Sequence, residues 1–345
     1  MKIVCFIGSG FNYMLADIVK SQSIYTKDDI PLHEKLISLN NLWYQLEPLF
    51  LQFHEFIPNR HGELMLEALD GIQAMLQKTA TRGNASSLVD QSPLFTANLL
   101  IKEEMRKVGE HFTMFERNEG YSTIHRALPN FGRAFNGLLR SQLVSDLYLC
   151  TTNYDGIIDS LLTYYCRESK SSKFIMKDGF IHGRFNESFF RNSRYKIAHI
   201  HGSYRYFQGN NYTEKLKKET INSSPLMVYD NPIRKEATIL QNEVLAANYR
   251  ELRRQLTMCD KVITIGNSFK TEPHLQRLIN THFNRPNTQL LVCSDKPEEV
   301  VSELEPYYNF QINTQSTEHV KSEKQLIGLF DRLLSAKRMA TLARA

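Results

Sequence analysis

No two of the five cysteines, Cys5, Cys150, Cys166, Cys259 and Cys293, stand at the close C-x-x-C spacing of a structural zinc ribbon, so a four-cysteine metal site is excluded. Three of them lie in apolar runs where strands are expected, and all five read as buried reduced thiols of a cytoplasmic protein. Long apolar runs are missing as well. The opening MKIVCFIGSGF has one lysine and only a few apolar residues before Gly8, too short for a secretory signal or a membrane span, and nothing later approaches a span. A soluble intracellular chain without a membrane partner is therefore expected. An excess of one charge is also lacking: 42 Lys and Arg against 37 Asp and Glu leave a formal charge of +5, too little to make nucleic acid the expected direct ligand.

What is there is a chain of 345 residues with 42% hydrophobic content, enough for a substantial core. Residues 3 to 7 form a continuous apolar run ending in Gly-Ser-Gly, the pattern of a strand buried on both faces and followed by a tight turn. The theme returns at Asp146 to Thr151 before TTNYDG, at Lys261 to Ile265 before GNS, and at Gln289 to Cys293 before SDKP. Helical patterns at Asn242 to Met258 and Glu272 to Asn280 flank the third of these strands. The alternation predicts an α/β fold with a doubly wound parallel sheet, whose ligands bind at the carboxyl ends of the strands.

Two stretches interrupt it. Residues 30–145, with periodic segments such as LMLEALDGIQAMLQK and FTANLLIKEEMRKV, read as a large, mostly helical insertion with a loop at TRGNASSLVDQSP. Residues 1–29 and 146–320 then make the α/β core, and 321–345 a C-terminal helix that packs or contacts another subunit. The second interruption, about 167–219, holds twelve Lys or Arg against five Asp or Glu and is rich in aromatics. Such a stretch can grip nucleic acid, but its plainer reading is a solvated, partly mobile excursion beside the site.

Five short motifs carry candidate chemistry. GSGF, residues Gly8, Ser9, Gly10 and Phe11, lets backbone N–H groups approach a phosphate at the start of a helix. A dehydrogenase-type fingerprint would need glycine at Tyr13, so that variant is excluded. TTNYDG supplies Thr152, Asn153 and Asp155; Asn153 can hold a water or a ribose hydroxyl, whereas Asp155 can alternatively cap the next helix. IAHIHGS alternates so that His199 and His201 would share one face of a strand, with His201 beside Gly202 and His199 its structural partner. Two histidines this close could bind a metal, yet no cysteine or carboxylate stands near them in sequence, and no metal is expected. ITIGNSF contributes Gly266, Asn267 and Ser268, and VCSD contributes Ser294 and Asp295, which suit an adenosine ribose or base edge.

Read in order, GSGF, TTNYDG, HIHGS, GNS and CSD resemble the sirtuin family pattern. The resemblance implies a sirtuin-like Rossmann variant with NAD as substrate, Asn153, Asp155 and His201 on the catalytic and nicotinamide side, and the GSGF, GNS and CSD residues lining the NAD site. Sirtuin deacylases carry a zinc ribbon of two C-x-x-C pairs between the H-G segment and the G-T-S turn, and this chain has no cysteine between Cys166 and Cys259. In that departure and in its helical insertion it resembles NAD-hydrolysing effectors of bacterial antiphage defence; abortive-infection proteins with F-I-G-N-G-F and H-I-H-G segments are similar too. The implied activity is an NAD glycohydrolase held in check by homo-oligomer assembly or by a partner such as an ATPase or a phage-derived activator. An NAD-dependent ADP-ribosyltransferase or deacylase, and a noncatalytic nucleotide-sensing module, remain the alternatives.

The chemistry is simple in outline. Cleaving nicotinamide from ribose expels a neutral group from a cationic ring and leaves an oxocarbenium-like centre, so orientation and a placed water matter more than an acid. On this reading Asn153 positions the water, His201 binds the ribose hydroxyls or acts as base, and Asp155 orients the nicotinamide-side loop.

Overall fold

A computed structural model describes residues 1–40, 63–80, 93–141, 143–168, 176–217, 220–283, 285, 288–304, 308 and 312–335. The expected TRGNASSLVDQSP loop and the terminal Lys337, Arg338 and Arg344 lie outside these residues, apart from the last proline of that loop, Pro93, which opens a helix.

The chain starts in β1 (Lys2–Ile7) and turns at Gly8 into α1 (Gly10–Lys20). Among the described residues five helices follow: α2 (Leu32–Asn40), α3 (Glu63–Ala80), α4 (Pro93–Arg117), α5 (Gly120–Ala127) and α6 (Phe131–Arg140). The sheet resumes with β2 (Asp146–Thr151), followed by α7 (Ile157–Glu168), β3 (Phe180–Ile181), β4 (Arg184–Phe185), α8 (Glu187–Asn192) and β5 (Tyr195–His199). Next come β6 (Gly202–Gln208), β7 (Thr213–Lys215), β8 (Pro225–Met227), α9 (Lys235–Gln241) and α10 (Glu243–Met258). The last third is β9 (Lys261–Ile265), α11 (Pro273–Phe283), β10 (Gln289–Ser294), α12 (Pro297–Leu304), β11 (Ile312–Ser316) and α13 (Glu323–Leu334).

Six strands form one sheet in the order β11-β10-β9-β1-β2-β5, every neighbouring pair parallel. The predicted α/β parallel sheet is thus present, Rossmann-like in general form. β1 sits inside it, with Lys2 opposite Asp146 on one side and Ile3 opposite Lys261 on the other. Its odd residues Ile3, Cys5 and Ile7 enter one apolar cluster, while Val4 and Phe6 enter another. That two-sided burial is why the run is continuous rather than alternating.

The first cluster holds α1 and the helical segment. Phe112 of α4, Phe131 and Phe135 of α6, and Leu326 and Phe330 of α13 share it with the β1 residues. Phe330 stacks edge-on against Phe131 at 5.3 Å and Phe135 at 5.6 Å between ring centroids. The described parts of the segment predicted as an insertion are mostly helical, and its inner face is one side of the sheet's own core. The second cluster is covered by α10 and α11, and α10 opens where expected: Asn242 accepts from the backbone N–H of Val244 and Leu245, a cap worth about 1 kcal/mol.

The basic stretch is not a solvated excursion. Apart from residues 169–175 and 218–219, which lie outside the description, it builds α8, β5 and most of a second sheet ordered β3-β4-β7-β6-β8, whose neighbours are antiparallel. Its strands of two to seven residues are too short for periodicity to reveal, and Tyr206 packs between the two sheets. His199 and His201 also prove not to share a strand. His199 closes β5, and Gly202, at φ +87°, opens β6 after a turn that contains His201. No helix among the described residues is long and apolar enough to cross a membrane.

The chain runs outward from β1 to β2 and β5, then crosses back to β9, so the order reverses between β1 and β9. There the backbones nearly touch. A Cβ on Gly8 would sit 2.5 Å from the Gly266 carbonyl oxygen, and one on Gly266 would sit 2.4 Å from the Phe11 nitrogen. Gly266 also has φ +61°. Gly266→Ala should therefore destabilise the protein by at least about 2 kcal/mol, from left-handed strain and overlap together. A urea midpoint equal to wild type at unchanged slope would contradict this.

Candidate functional site

The reversal point opens a cavity of about 730 Å³ at the carboxyl ends of β1, β9, β10 and β11. Its floor is Gly8, Ser9 and Gly10 from the first turn and Gly266, Asn267 and Ser268 from the β9 turn. Thr152 borders it on one side, Ser294 and Asp295 at the end of β10 on the other. A second cavity of about 150 Å³ adjoins it and is lined by Asn153, Asp155 and His201. Ser9, Thr152, Thr271 and Glu272 border both. Of the sequence-predicted residues, Phe11 alone is elsewhere: its side chain is buried in the core, edge-on to Phe330. It follows the turn for packing, and its side chain does not reach the cavity that the other cofactor-binding candidates line.

The GSGF turn offers a phosphate less than expected. The Gly8 N–H donates to the Ile265 carbonyl, Gly10 to Gly266 and Phe11 to Gly8, so three of its four amides are bonded within the protein. What it presents to the cavity is the Ser9 residue and the positive end of α1, whose first turn carries no acidic residue. The three lysines lining the large cavity are all paired, Lys321 with Asp17 at 2.7 Å, Lys296 with Glu299 at 3.1 Å and Lys270 with Glu303 at 3.8 Å.

The TTNYDG loop is held from every side. Thr151 Oγ1 donates to the Ile7 carbonyl and accepts from the Asn153 N–H, and Asn153 Nδ2 donates to the Gly8 carbonyl at 3.2 Å, setting that amide across the junction of the cavities. Both Asp155 oxygens are engaged, one with the Ile157 N–H and one with Asn12 Nδ2, each at 2.8 Å. Burial raises the Asp155 carboxyl above its ordinary range. It caps α7 and fixes the loop, a positioning role. Asn12, fully buried on the apolar face of α1, also reaches Asn40, whose side chain donates to the Ser9 carbonyl. Tyr121 takes the Gly156 N–H and links through Tyr204 to Glu116.

His199 is structural, as expected. Nδ1 lies 3.1 Å from the Asn153 carbonyl and Nε2 2.6 Å from Asp159, and because both partners only accept, both contacts require the imidazolium. Burial pushes His199 down, but Asp159 outweighs it and holds the group above its usual 6.5. Asp159 in turn is held far below its usual 3.8 by His199 and Lys215, against the effect of burial.

His201 belongs to another network. Its Nε2 is 3.2 Å from Glu272 Oε2 and 3.3 Å from His274 Nε2, while Glu272 Oε1 accepts from Lys235 at 2.9 Å. Lys235 also pairs with Glu63 of α3 at 2.5 Å. Two carboxylates share one ammonium, and burial pushes Glu63 up to about 7, making it the first to take a proton. Burial opposes ionisation of Glu272 as well, but His201 and Lys235 hold it well below the usual range. Burial drives His274 down to about 3. Glu272 Oε2 and His274 Nδ1 are buried without a hydrogen-bond partner.

The absence of a carboxylate near His201 therefore holds only along the chain, not in space. Glu272 and His274 were legible in part: T-E-P-H, with Pro273 as the first residue of α11, places both at a helix start just past the β9 turn. Glu63 and Lys235 carry no such signal, since their partners are remote in sequence. No protein-family model and no curated protein matches the chain.

The His199–Asp159 pair makes a prediction about pH. A raised histidine contributes stability that is complete below 6.5 and is lost as pH climbs through its folded value. A depressed aspartate contributes above 3.8 and loses its share as pH falls through its folded value. Asp159→Asn should therefore lower the melting temperature most in the window of roughly pH 4–7, and the deficit should shrink as pH rises beyond it. A deficit independent of pH between 6 and 9 would show that His199 is not charged in the fold.

Proposed function

We propose that this chain hydrolyses NAD at the bond between nicotinamide and ribose, giving nicotinamide, ADP-ribose and a proton. One observation carries the reading: a dinucleotide-sized cavity at the reversal point of a parallel sheet continues, across Ser9 and Thr152, into a small polar cavity walled by Asn153 and His201. The larger cavity takes the ADP-ribose part, with the diphosphate at the start of α1 and the adenosine ribose beside Asp295. The smaller takes the nicotinamide ribose.

In this arrangement Asn153, anchored on the Gly8 carbonyl, orients the attacking water. His201, oriented by Glu272, faces the ribose hydroxyls. Asp155 acts through the loop it caps. The rigid walls supply orientation, and their polar groups the stabilisation of a developing positive centre. The order of the GSGF, TTNYDG, HIHGS, GNS and CSD motifs supports the same reading, and with it a role as an antiphage effector acting in a homo-oligomer under a partner's control.

Purified protein should release nicotinamide from NAD, and Asn153→Ala or His201→Ala should slow release on the order of 100-fold or more with the far-ultraviolet spectrum unchanged. Asp295→Asn should leave kcat near wild type, raise KM for NAD and weaken discrimination against NADP, because a carboxylate repels a 2′-phosphate. Expression with and without phage challenge, followed by intracellular NAD, covers the case of an effector that is silent until triggered. Wild-type activity in both alanine variants would remove the assignment of the site.

A further inference from the structure

We infer that His201, Glu272 and His274 form a binding site for one divalent transition-metal ion. Their ligand atoms come from three places: the turn between β5 and β6, the loop ahead of α11, and the first turn of α11. Pro273 stands between Glu272 and His274, and its ring fixes the backbone that carries both.

The distances match a metal. His201 Nε2 and His274 Nε2 are 3.3 Å apart, and Glu272 Oε2 lies 3.2 Å from the first and 3.7 Å from the second. Around a tetrahedral ion with bonds of about 2.1 Å, ligand atoms stand about 3.4 Å from one another. The two ring nitrogens are within hydrogen-bonding distance of each other, but Glu272 Oε2, which faces both, is buried with no hydrogen-bond partner. Glu272 itself is only 7% exposed and His274 fully buried. A carboxylate oxygen and two imidazole nitrogens converging on one point in the interior are what a cation would satisfy together.

Charge points the same way. Glu63 and Glu272 are two buried carboxylates facing the single ammonium of Lys235, so with Glu63 ionised the cluster has a negative charge that a cation offsets. Lys235 occupies Glu272 Oε1 and thereby turns Oε2 toward the histidines, as an outer-shell partner of a ligand does. Two imidazoles and one carboxylate suit zinc, cobalt, nickel or ferrous iron, and not calcium or magnesium, which take oxygen. His201 and Glu272 also wall the small cavity, so an ion held by them would be within reach of water or a ligand there. The assignment stands on these residues alone and holds whatever the larger cavity binds.

The test uses the full chain after chelation and dialysis, titrated with cobalt(II) and then zinc. Wild type should take up one equivalent of cobalt with the intense visible absorption of a four-coordinate ion, which zinc abolishes. Glu272→Gln and His274→Gln should each weaken uptake by about 10–100-fold, and zinc should raise the melting temperature of wild type but of neither variant. Circular dichroism identifies any variant that has not folded, in which case the other variant and the wild-type titration decide. No stoichiometric uptake by folded wild type, or equal uptake by wild type and a folded variant, overturns the site. Calorimetry with NAD on the same samples reads the proposed function separately, so that failure of one inference is not mistaken for failure of the other.

Discussion

Everything at the crevice depends on how closely two backbones approach at the reversal point. Gly8 and Gly10 on the β1 turn and Gly266 on the β9 turn bring main chain against main chain, with the Gly10 N–H bonded to the Gly266 carbonyl at 2.9 Å. Side chains there would push β1 from β9 and part the sheet at its centre. The same contact that lets the crevice exist also uses up amides that could have faced a ligand. Recognition in the larger cavity is thus shifted onto side chains: Ser9, Thr152, Asn267 and Asp295 at its walls.

The helical segment is a working part of this crevice. Leu39, Asn40, Glu63 and Phe112 come from three of its helices and close the smaller cavity. Hydrogen bonds then run from it toward the loop that carries Asn153: Asn40 accepts from Asn12 of α1, which also donates to Asp155, and Tyr121 accepts from the Gly156 N–H. Glu63 reaches past the loop to Lys235 and so touches the His201 network. A change in the packing of these helices would be felt at both ends of the small cavity, which gives the segment a physical route to govern what happens there.

Much of this was legible from the sequence wherever the signal is local. Four apolar runs ending in small or polar residues located four strands of the parallel sheet, and the turns after them proved to line one crevice. The edge strand β11, INTQS, has no apolar run because it is only half-buried, and the second sheet escaped notice because its strands are short. The pairing of His199 with His201 failed for a different reason: alternation predicts a common face only while the strand continues, and β5 ends at His199, before a turn that Gly202 leaves with a positive φ. Asp155 shows the same limit in reverse, since its helix-capping role was readable but its bond to Asn12, 143 residues away, was not.

The position of β1 has a consequence for synthesis. It is made before both of its neighbours, yet it lies inside the sheet, and one neighbour begins at Asp146 while the other begins at Lys261. The Lys2 N–H finds its partner in Asp260, 258 residues later. At about 5–20 residues per second, the ribosome needs roughly 10–50 s to supply it. For that interval the chain holds an apolar strand with an unsatisfied edge, a natural client for chaperones. The crevice, which needs both turns, cannot assemble until Gly266 has been translated, so no nascent fragment that stops short of it carries the site.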